Sequence, residues 1–200
     1  MNVSRPRRLW LVRHGETVGE SSIRYHGSND VALSDHGRTQ VRALLPLLAP
    51  RRFARIVHSP LSRAVESAQL LCRGLGHAEA LLTADERLRE ISFGHCEGLT
   101  REEIEHRHPG FFADYEAGRV DCFPGGERRA DFDRRVAAAL DELAAADWDH
   151  DLLVVAHRGI VRQAVLRLAG AHAAPAQRLG VALGSVTVLC QQDHGSFVLE

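Results

Sequence analysis

Apolar positions follow two rhythms along the chain. Leu9–Val12 and Leu152–Ala156 are short, wholly apolar runs, and Ala54–Val57, interrupted only by Arg55, reads as another short strand. A run of that kind fits a strand covered on both faces, as inside a parallel sheet. Between these runs the apolar spacing changes to three and four, the period of an amphipathic helix. Ser34 is placed to cap a helix running to about Leu48, with Val41, Leu44, Leu45 and Leu48 on one face and Pro50 as its stop. Pro60 fits the first turn of a helix through about Gly74, striped by Leu61, Ala64, Val65, Ala68 and Leu71. Thr100 and Pro109 mark the starts of two short helices, and Ala130–Ala145 and Gly159–Leu168 two more. Val181–Leu189 and Ser196–Leu199 read as late strands, close enough to form a hairpin around Asp193-His194-Gly195. Gly15–Leu33 and Leu88–Gly98 lack either period and read as loops, the second a site loop.

Strands alternating with helices predict a three-layer α/β/α sandwich with a mostly parallel central sheet. One domain is expected over residues 1–200, with its core in 1–90 and 130–200. The polar, irregular stretch at about 91–129 is expected as a small helical insertion over the site. In such sheets a ligand lies outside the carboxyl ends of the strands. Arg13-His14 follows the first run and His157-Arg158 follows the run Leu152–Ala156. Each histidine is followed within two residues by glycine, which lets backbone and ligand approach closely.

Composition narrows the chemistry. The chain has 200 residues, 44% hydrophobic and 26% charged, an ordinary globular balance. Its 25 basic and 26 acidic residues give a formal net charge of -1, which argues against nucleic-acid binding through overall charge. Every basic residue is arginine, so lysine Schiff-base, P-loop and protein-kinase chemistry are excluded. No apolar run approaches the ~20 residues that span a bilayer, and no signal-peptide pattern follows the basic start, so no membrane association and a cytoplasmic location are expected. Cys72, Cys96, Cys122 and Cys190 contain no C-x-x-C pair and read as reduced thiols. Neither His14 nor His157 has H-x-x-x-H or H-E-x-x-H spacing, and each adjoins an arginine where a metal would need anions. A guanidinium beside an imidazole suits a phosphate instead. No metal and no cofactor are expected.

A series of motifs then carries a resemblance. Arg13-His14-Gly15-Glu16-Thr17 is followed by Arg24-Tyr25-His26-Gly27, by Asp30, and by Leu33-Ser34 with Gly37-Arg38-Thr39-Gln40. Ser59-Pro60-Leu61-Ser62-Arg63-Ala64, Glu90-Ile91-Ser92-Phe93-Gly94 with Glu97-Gly98, Pro124-Gly125-Gly126-Glu127 and Val155-Ala156-His157 complete it. In this order, over essentially the whole chain, they resemble the histidine phosphatase superfamily, the phosphoglycerate-mutase-like family. The resemblance implies His14 as the nucleophile and a phosphohistidine intermediate. It implies Arg13, Arg63 and His157 as the clamp on the phosphoryl oxygens, and Glu90 as the proton donor to the leaving alcohol. Glu97, Glu16 and Thr17 are expected in structural hydrogen bonds.

Two positions depart from the pattern. The family commonly has asparagine where this chain has Glu20, and a small residue where it has Arg158. Arg24, Glu20 and Arg158 are expected as substrate-binding residues, with Arg158 at the rim offsetting Glu20. Cys96 stands where the family often has tryptophan, which alters the leaving-group pocket. The function so implied is a metal-independent phosphomonoesterase acting on a small phosphorylated metabolite. Two alternatives are a bisphosphate-dependent phosphoglycerate mutase and a non-catalytic phosphoryl-binding module. The compact stretch from Glu90 to His157 favours the phosphatase branch over the mutase. A small-molecule phosphate monoester is the expected partner; the sequence leaves a homodimer open.

Overall fold

The computed structural model describes residues 6–170, 179–192 and 195–200. In chain order its elements are β1 (Arg8–Arg13), β2 (Arg24–Tyr25), α1 (Asp35–Arg42), α2 (Leu45–Leu48), β3 (Phe53–His58), α3 (Ser62–Gly74), β4 (Leu82–Ala84), β5 (Leu99–Thr100), α4 (Arg101–Arg107), α5 (Phe111–Glu116), α6 (Arg129–Ala145), β6 (Asp151–Ala156), α7 (Arg158–Leu168), β7 (Val186–Gln191) and β8 (Phe197–Leu199). Six strands form the central sheet in the order β4-β3-β6-β1-β7-β8, and β2 pairs with β5 apart from it. The ladders β3–β4, β3–β6 and β1–β6 are parallel; β1–β7 and β7–β8 are antiparallel.

Strand pleating sends successive side chains to opposite faces, and the two cores divide accordingly. Leu9 and Leu11 of β1, with Leu152, Val154 and Ala156 of β6, pack against α6 and α7. Trp10 and Val12, with Leu153 and Val155, pack against α1, α2 and α3. Helices thus cover both faces, which is the expected three-layer arrangement and the reason β1 and β6 need apolar residues at consecutive positions. Asp151 breaks the pattern at the start of β6. Its carboxylate accepts the indole N–H of Trp10 at 2.9 Å and the backbone N–H of Arg8 at 3.3 Å, so this buried acid ties β1 to β6. Residues of 91–129 contribute a separate cluster of Cys96, Ile104, Phe111, Phe112 and Phe123.

Several elements differ from the sequence expectation. The helix expected from Ser34 to Leu48 is two helices, because Pro46 has no N–H to continue the ladder; Ala43 caps the first, and α2 has Pro46 in its opening turn. Pro60 precedes α3 instead of entering it. Leu61 is extended, and the carboxylate of Asp30 accepts the backbone N–H and hydroxyl of Ser62 at 2.7 and 2.8 Å. That cap comes from a remote loop, so no local pattern reveals it. The strand expected from Val181 begins at Val186. The edge strand β4, Leu82-Thr83-Ala84, is too short for its alternation to stand out and is an addition to the expected strands. The β7–β8 pairing agrees with the expected hairpin, whose Asp193 and His194 lie outside the described residues.

Candidate active site

The tip of β1 is fixed beyond its last ladder pair. The backbone N–H of Arg13 donates to Ser185, that of His14 donates to Ala156, and the carbonyl of His14 accepts from Gly184. The residues between Val181 and Ser185 therefore serve the site, which is why they do not continue β7. Gly15 lies so close to Gly37 that a Cβ on it would stand 2.2 Å from the Gly37 carbonyl oxygen. The loop after β1 is thus seated on α1 by two side-chain-free residues.

His14 and His157 meet at the carboxyl ends of β1 and β6, with ring centroids 5.2 Å apart. Both are buried. The Nδ1 of His14 lies 2.7 Å from the carbonyl oxygen of Gly15. A carbonyl only accepts, so Nδ1 carries the proton and Nε2 holds the lone pair. Burial, reinforced by the Arg63 and Arg13 guanidiniums, holds His14 well below the usual histidine pKa. His157 is held down in the same direction by burial and then by Arg63. Both rings are therefore neutral near pH 7.

Arg63 sits on the first turn of α3 yet is 2% exposed. Its Nε donates toward His14 Nε2 at 3.3 Å, while Nη1 and Nη2 are held by the carbonyls of Asn29 and Gly27 at 2.7 and 2.6 Å. Arg13 donates from Nη1 to the Val181 carbonyl at 2.7 Å, and its buried Nε has no partner among the described residues. Burial lowers Arg13 to about 10, which still leaves it a cation near neutrality. His157 Nε2 lies 2.7 Å from the Ser59 hydroxyl, and its Nδ1 has no partner among the described residues. Glu90 comes in from the segment between β4 and β5. Its Oε2 accepts the backbone N–H of Gly159 at 3.0 Å, and its Oε1 that of Ile91 at 3.1 Å. A Cβ at Gly159 would stand 2.3 Å from Glu90 Oε1, so the glycine after His157-Arg158 makes room for this carboxylate.

Arg13, His14, Arg24, Arg63, Glu90, His157 and Arg158 all line one pocket of about 220 Å³. Glu20 does not. Its φ of 61° is left-handed, and its exposed carboxylate pairs with Arg24 at 3.4 Å. The expected offset of Glu20 by Arg158 is therefore replaced by a pair with Arg24, because the turn at Glu20 aims the side chain along the outside of the loop. Arg24 also donates to the Gly98 carbonyl and to Glu103, each at 2.9 Å. Glu97 accepts from Ser28, Ser92 and Phe93, and Glu16 from the backbone of Thr17 and Ser22, both in structural roles. Sequence reasoning missed Ser59, although it follows the end of β3 on the same sheet edge, where the strand-end rule points. It also missed His26 and Arg101, whose places in the pocket wall have no local signal.

Fold and pocket together define an α/β enzyme whose site is built for a tetrahedral oxyanion beside a neutral imidazole. The family model for branch 1 of the histidine phosphatase superfamily matches residues 9–200. The chain belongs to this superfamily. The glucosyl-3-phosphoglycerate phosphatase of Mycolicibacterium vanbaalenii is 34% identical over 173 residues, 83% of this chain and 76% of that protein. The adenosylcobalamin/alpha-ribazole phosphatase of Salmonella typhimurium is 32% identical over 162 residues, 80% of this chain and 79% of that protein. The native structure of a mycobacterial glucosyl-3-phosphoglycerate phosphatase superposes with a TM-score of 0.79 at 32% identity, over 98% of this chain and 97% of that one. The structure of that phosphatase with inorganic phosphate gives 0.78 at 32%, over 97% and 94%.

Proposed function

We propose that this protein is a metal-independent phosphomonoesterase that hydrolyses a small phosphorylated metabolite through a phosphohistidine on His14. The observation that carries the reading is the tautomer of His14. With Nδ1–H donated to Gly15, the lone pair of a neutral ring stands on Nε2, beside the Arg63 guanidinium.

Nε2 attacks phosphorus, an N–P bond forms, and the P–O bond to the alcohol breaks. Glu90 gives its proton to the departing oxygen. Arg13, Arg63 and His157 hold the phosphoryl oxygens, where charge accumulates in the transition state. The Ser59 oxygen already accepts the backbone N–H of Leu61 at 3.3 Å. The Ser59 hydroxyl therefore donates its hydrogen bond to His157 Nε2, so that His157 carries its proton on Nδ1, as a donor to a phosphoryl oxygen. In the second step water attacks phosphorus while the Glu90 carboxylate takes a proton from it. The N–P bond breaks, inorganic phosphate leaves, and His14 returns to its starting tautomer.

Arg24 and Arg158 are assigned to the walls that contact the alcohol portion, and residues 91–129 to a cap over it within one domain. A cytoplasmic enzyme acting on a soluble ester fits this reading; among the described residues no helix is long and apolar enough to cross a membrane. The test is phosphate release from p-nitrophenyl phosphate and a metabolite panel, with chelator present, beside His14→Ala. Activity that resists chelation and is lost in the variant is expected. Activity surviving His14→Ala overturns the mechanism. Retention of the phosphoryl group on a sugar acid, stimulated by its bisphosphate, replaces it with mutase chemistry.

A further inference from the structure

Neither Glu127, which ends the turn Pro124-Gly125-Gly126-Glu127, nor Arg135 of α6 lines the phosphoryl pocket. The two are nevertheless locked to each other and to the segment that carries Glu90. Arg135 is half-buried, and its Nε and Nη2 each donate to one carboxylate oxygen of Glu127 at 2.7 Å. Its Nη1 donates to the carbonyls of Arg87 and Arg89 at 2.8 and 2.7 Å, and its Nη2 also to that of Glu90 at 3.3 Å. These bonds occupy every N–H of the guanidinium, and a lysine has too few donors to replace them.

The turn is shaped to hold Glu127 in place. Gly125 has a left-handed φ of 71°. A Cβ on Gly94 would stand 2.3 Å from the Gly125 carbonyl carbon, and one on Gly126 2.5 Å from the Ser92 carbonyl oxygen, so turn and acid-bearing segment lie backbone to backbone. The N–H of Glu127 donates to Ser92 at 3.0 Å, and that of His95 to Pro124 at 2.9 Å. Adhesion alone does not call for this second anchorage, because Arg87 already joins the segment to α6 through Glu142 at 2.8 Å. What Arg135 adds is a grip on the backbone of Arg89 and Glu90 themselves. The Glu90 carboxylate is held at its far end by the N–H groups of Ile91 and Gly159. A group that must meet a departing oxygen within hydrogen-bond reach needs both ends fixed.

We propose that Glu127 and Arg135 are positioning residues for the proton transfer at the leaving oxygen. The Glu127 carboxylate orients the guanidinium, and the guanidinium sets the backbone from which the Glu90 side chain departs. This inference rests on the phosphomonoesterase reading, with Glu90 as its proton donor, and gives the Pro-Gly-Gly-Glu turn a task.

The experiment compares kcat/KM for phenyl phosphate, whose leaving oxygen is basic and needs a proton, with p-nitrophenyl phosphate, whose leaving oxygen does not. Wild type, Glu90→Gln, Glu127→Gln, Arg135→Gln and Arg135→Lys are measured. A ratio taken within one variant is independent of its folded fraction. In Glu90→Gln the phenyl ester is expected to fall about tenfold or more beyond the nitrophenyl ester. Glu127→Gln and Arg135→Gln are expected to reproduce that selective loss at about three- to tenfold, and Arg135→Lys, which keeps the charge and part of the donor set, to lose less. Equal losses on the two esters in Glu127→Gln and Arg135→Gln mark a merely structural pair and overturn the inference. So does a greater selective loss in Arg135→Lys than in Arg135→Gln, or a variant that no longer turns over p-nitrophenyl phosphate, since a pair that serves only the acid spares that ester. Absence of His14-dependent cleavage of p-nitrophenyl phosphate by wild type, or equal losses in Glu90→Gln, is instead the failure of the phosphomonoesterase reading.

Discussion

Gly159→Ala tests the proton-donor role proposed for Glu90 apart from the rest of the site. The new Cβ would stand 2.3 Å from Glu90 Oε1 and 3.2 Å from Cδ, where ordinary contact begins at 3.4 Å. The carboxylate must therefore retreat by about 1 Å, a displacement that costs on the order of 100-fold when it misplaces a reacting group. The closest crowded atom ends a flexible side chain; the buried Phe132 ring, whose Cζ would stand 3.1 Å from the new Cβ, must also give by a few tenths of an ångström, so a modest loss of stability accompanies the change. Alanine within a helix gains about 1 kcal/mol over glycine, and loss of the Gly159–Glu90 hydrogen bond costs a similar ~1 kcal/mol. The assay is kcat/KM, which reports the steps through phosphorylation of His14. An alkyl phosphate needs a proton on its leaving oxygen; a nitrophenyl phosphate does not. The alkyl ester is expected to lose about 100-fold and the nitrophenyl ester less than about fivefold. Equal losses with both esters, or no loss with the alkyl ester, would refute the assignment of Glu90.

Two further outcomes follow from the site. His14 and His157 are held below the ordinary histidine pKa, whereas the unfolded rings take up protons near ~6.5. The unfolded state therefore binds more protons below that pH, and stability, complete above it, falls on acidification by up to ~1.4 kcal/mol per pH unit for each ring until the folded rings protonate. Urea unfolding between pH 7 and 5.5 in phosphate-free buffer checks this, and a slope no smaller in His14→Gln than in wild type would count against it. Glu20→Asn places a residue tolerant of left-handed backbone at φ 61° and gives up only an exposed pair with Arg24. A gain of about 0.5–1 kcal/mol in urea unfolding is expected, and a loss of similar size would show that the turn is unstrained.

What the sequence disclosed was set by how local each cause is. β1 and β6 are legible because burial on both faces demands consecutive apolar residues, and His14 and His157 because each stands directly after such a run. The break between α1 and α2 was open to reading at Pro46, but the continuing apolar stripe outweighed it. Arg63 is legible only through the motif series, since an arginine on an early helical turn is ordinarily solvated. Its burial comes from carbonyls of Gly27 and Asn29, supplied by a loop without periodicity. The motif series fixed the family and left the orientation of Glu20 open, because one positive φ decides which way that side chain leaves the loop.

The neighbours of β1 in the sheet are β6 and β7, and Leu9 pairs with Leu152 and Leu189. A ribosome releases β1 well before either partner exists. During that interval the strand that ends at His14 has no ladder, and the backbone groups of Ala156, Gly184 and Ser185 that pin its tip have not been synthesised. The nascent polypeptide is consequently inert toward phosphate esters until β7 has emerged. Its sticky segment Leu9–Val12 must meanwhile be shielded, which makes the wait for β6 the step at which a holding chaperone matters most.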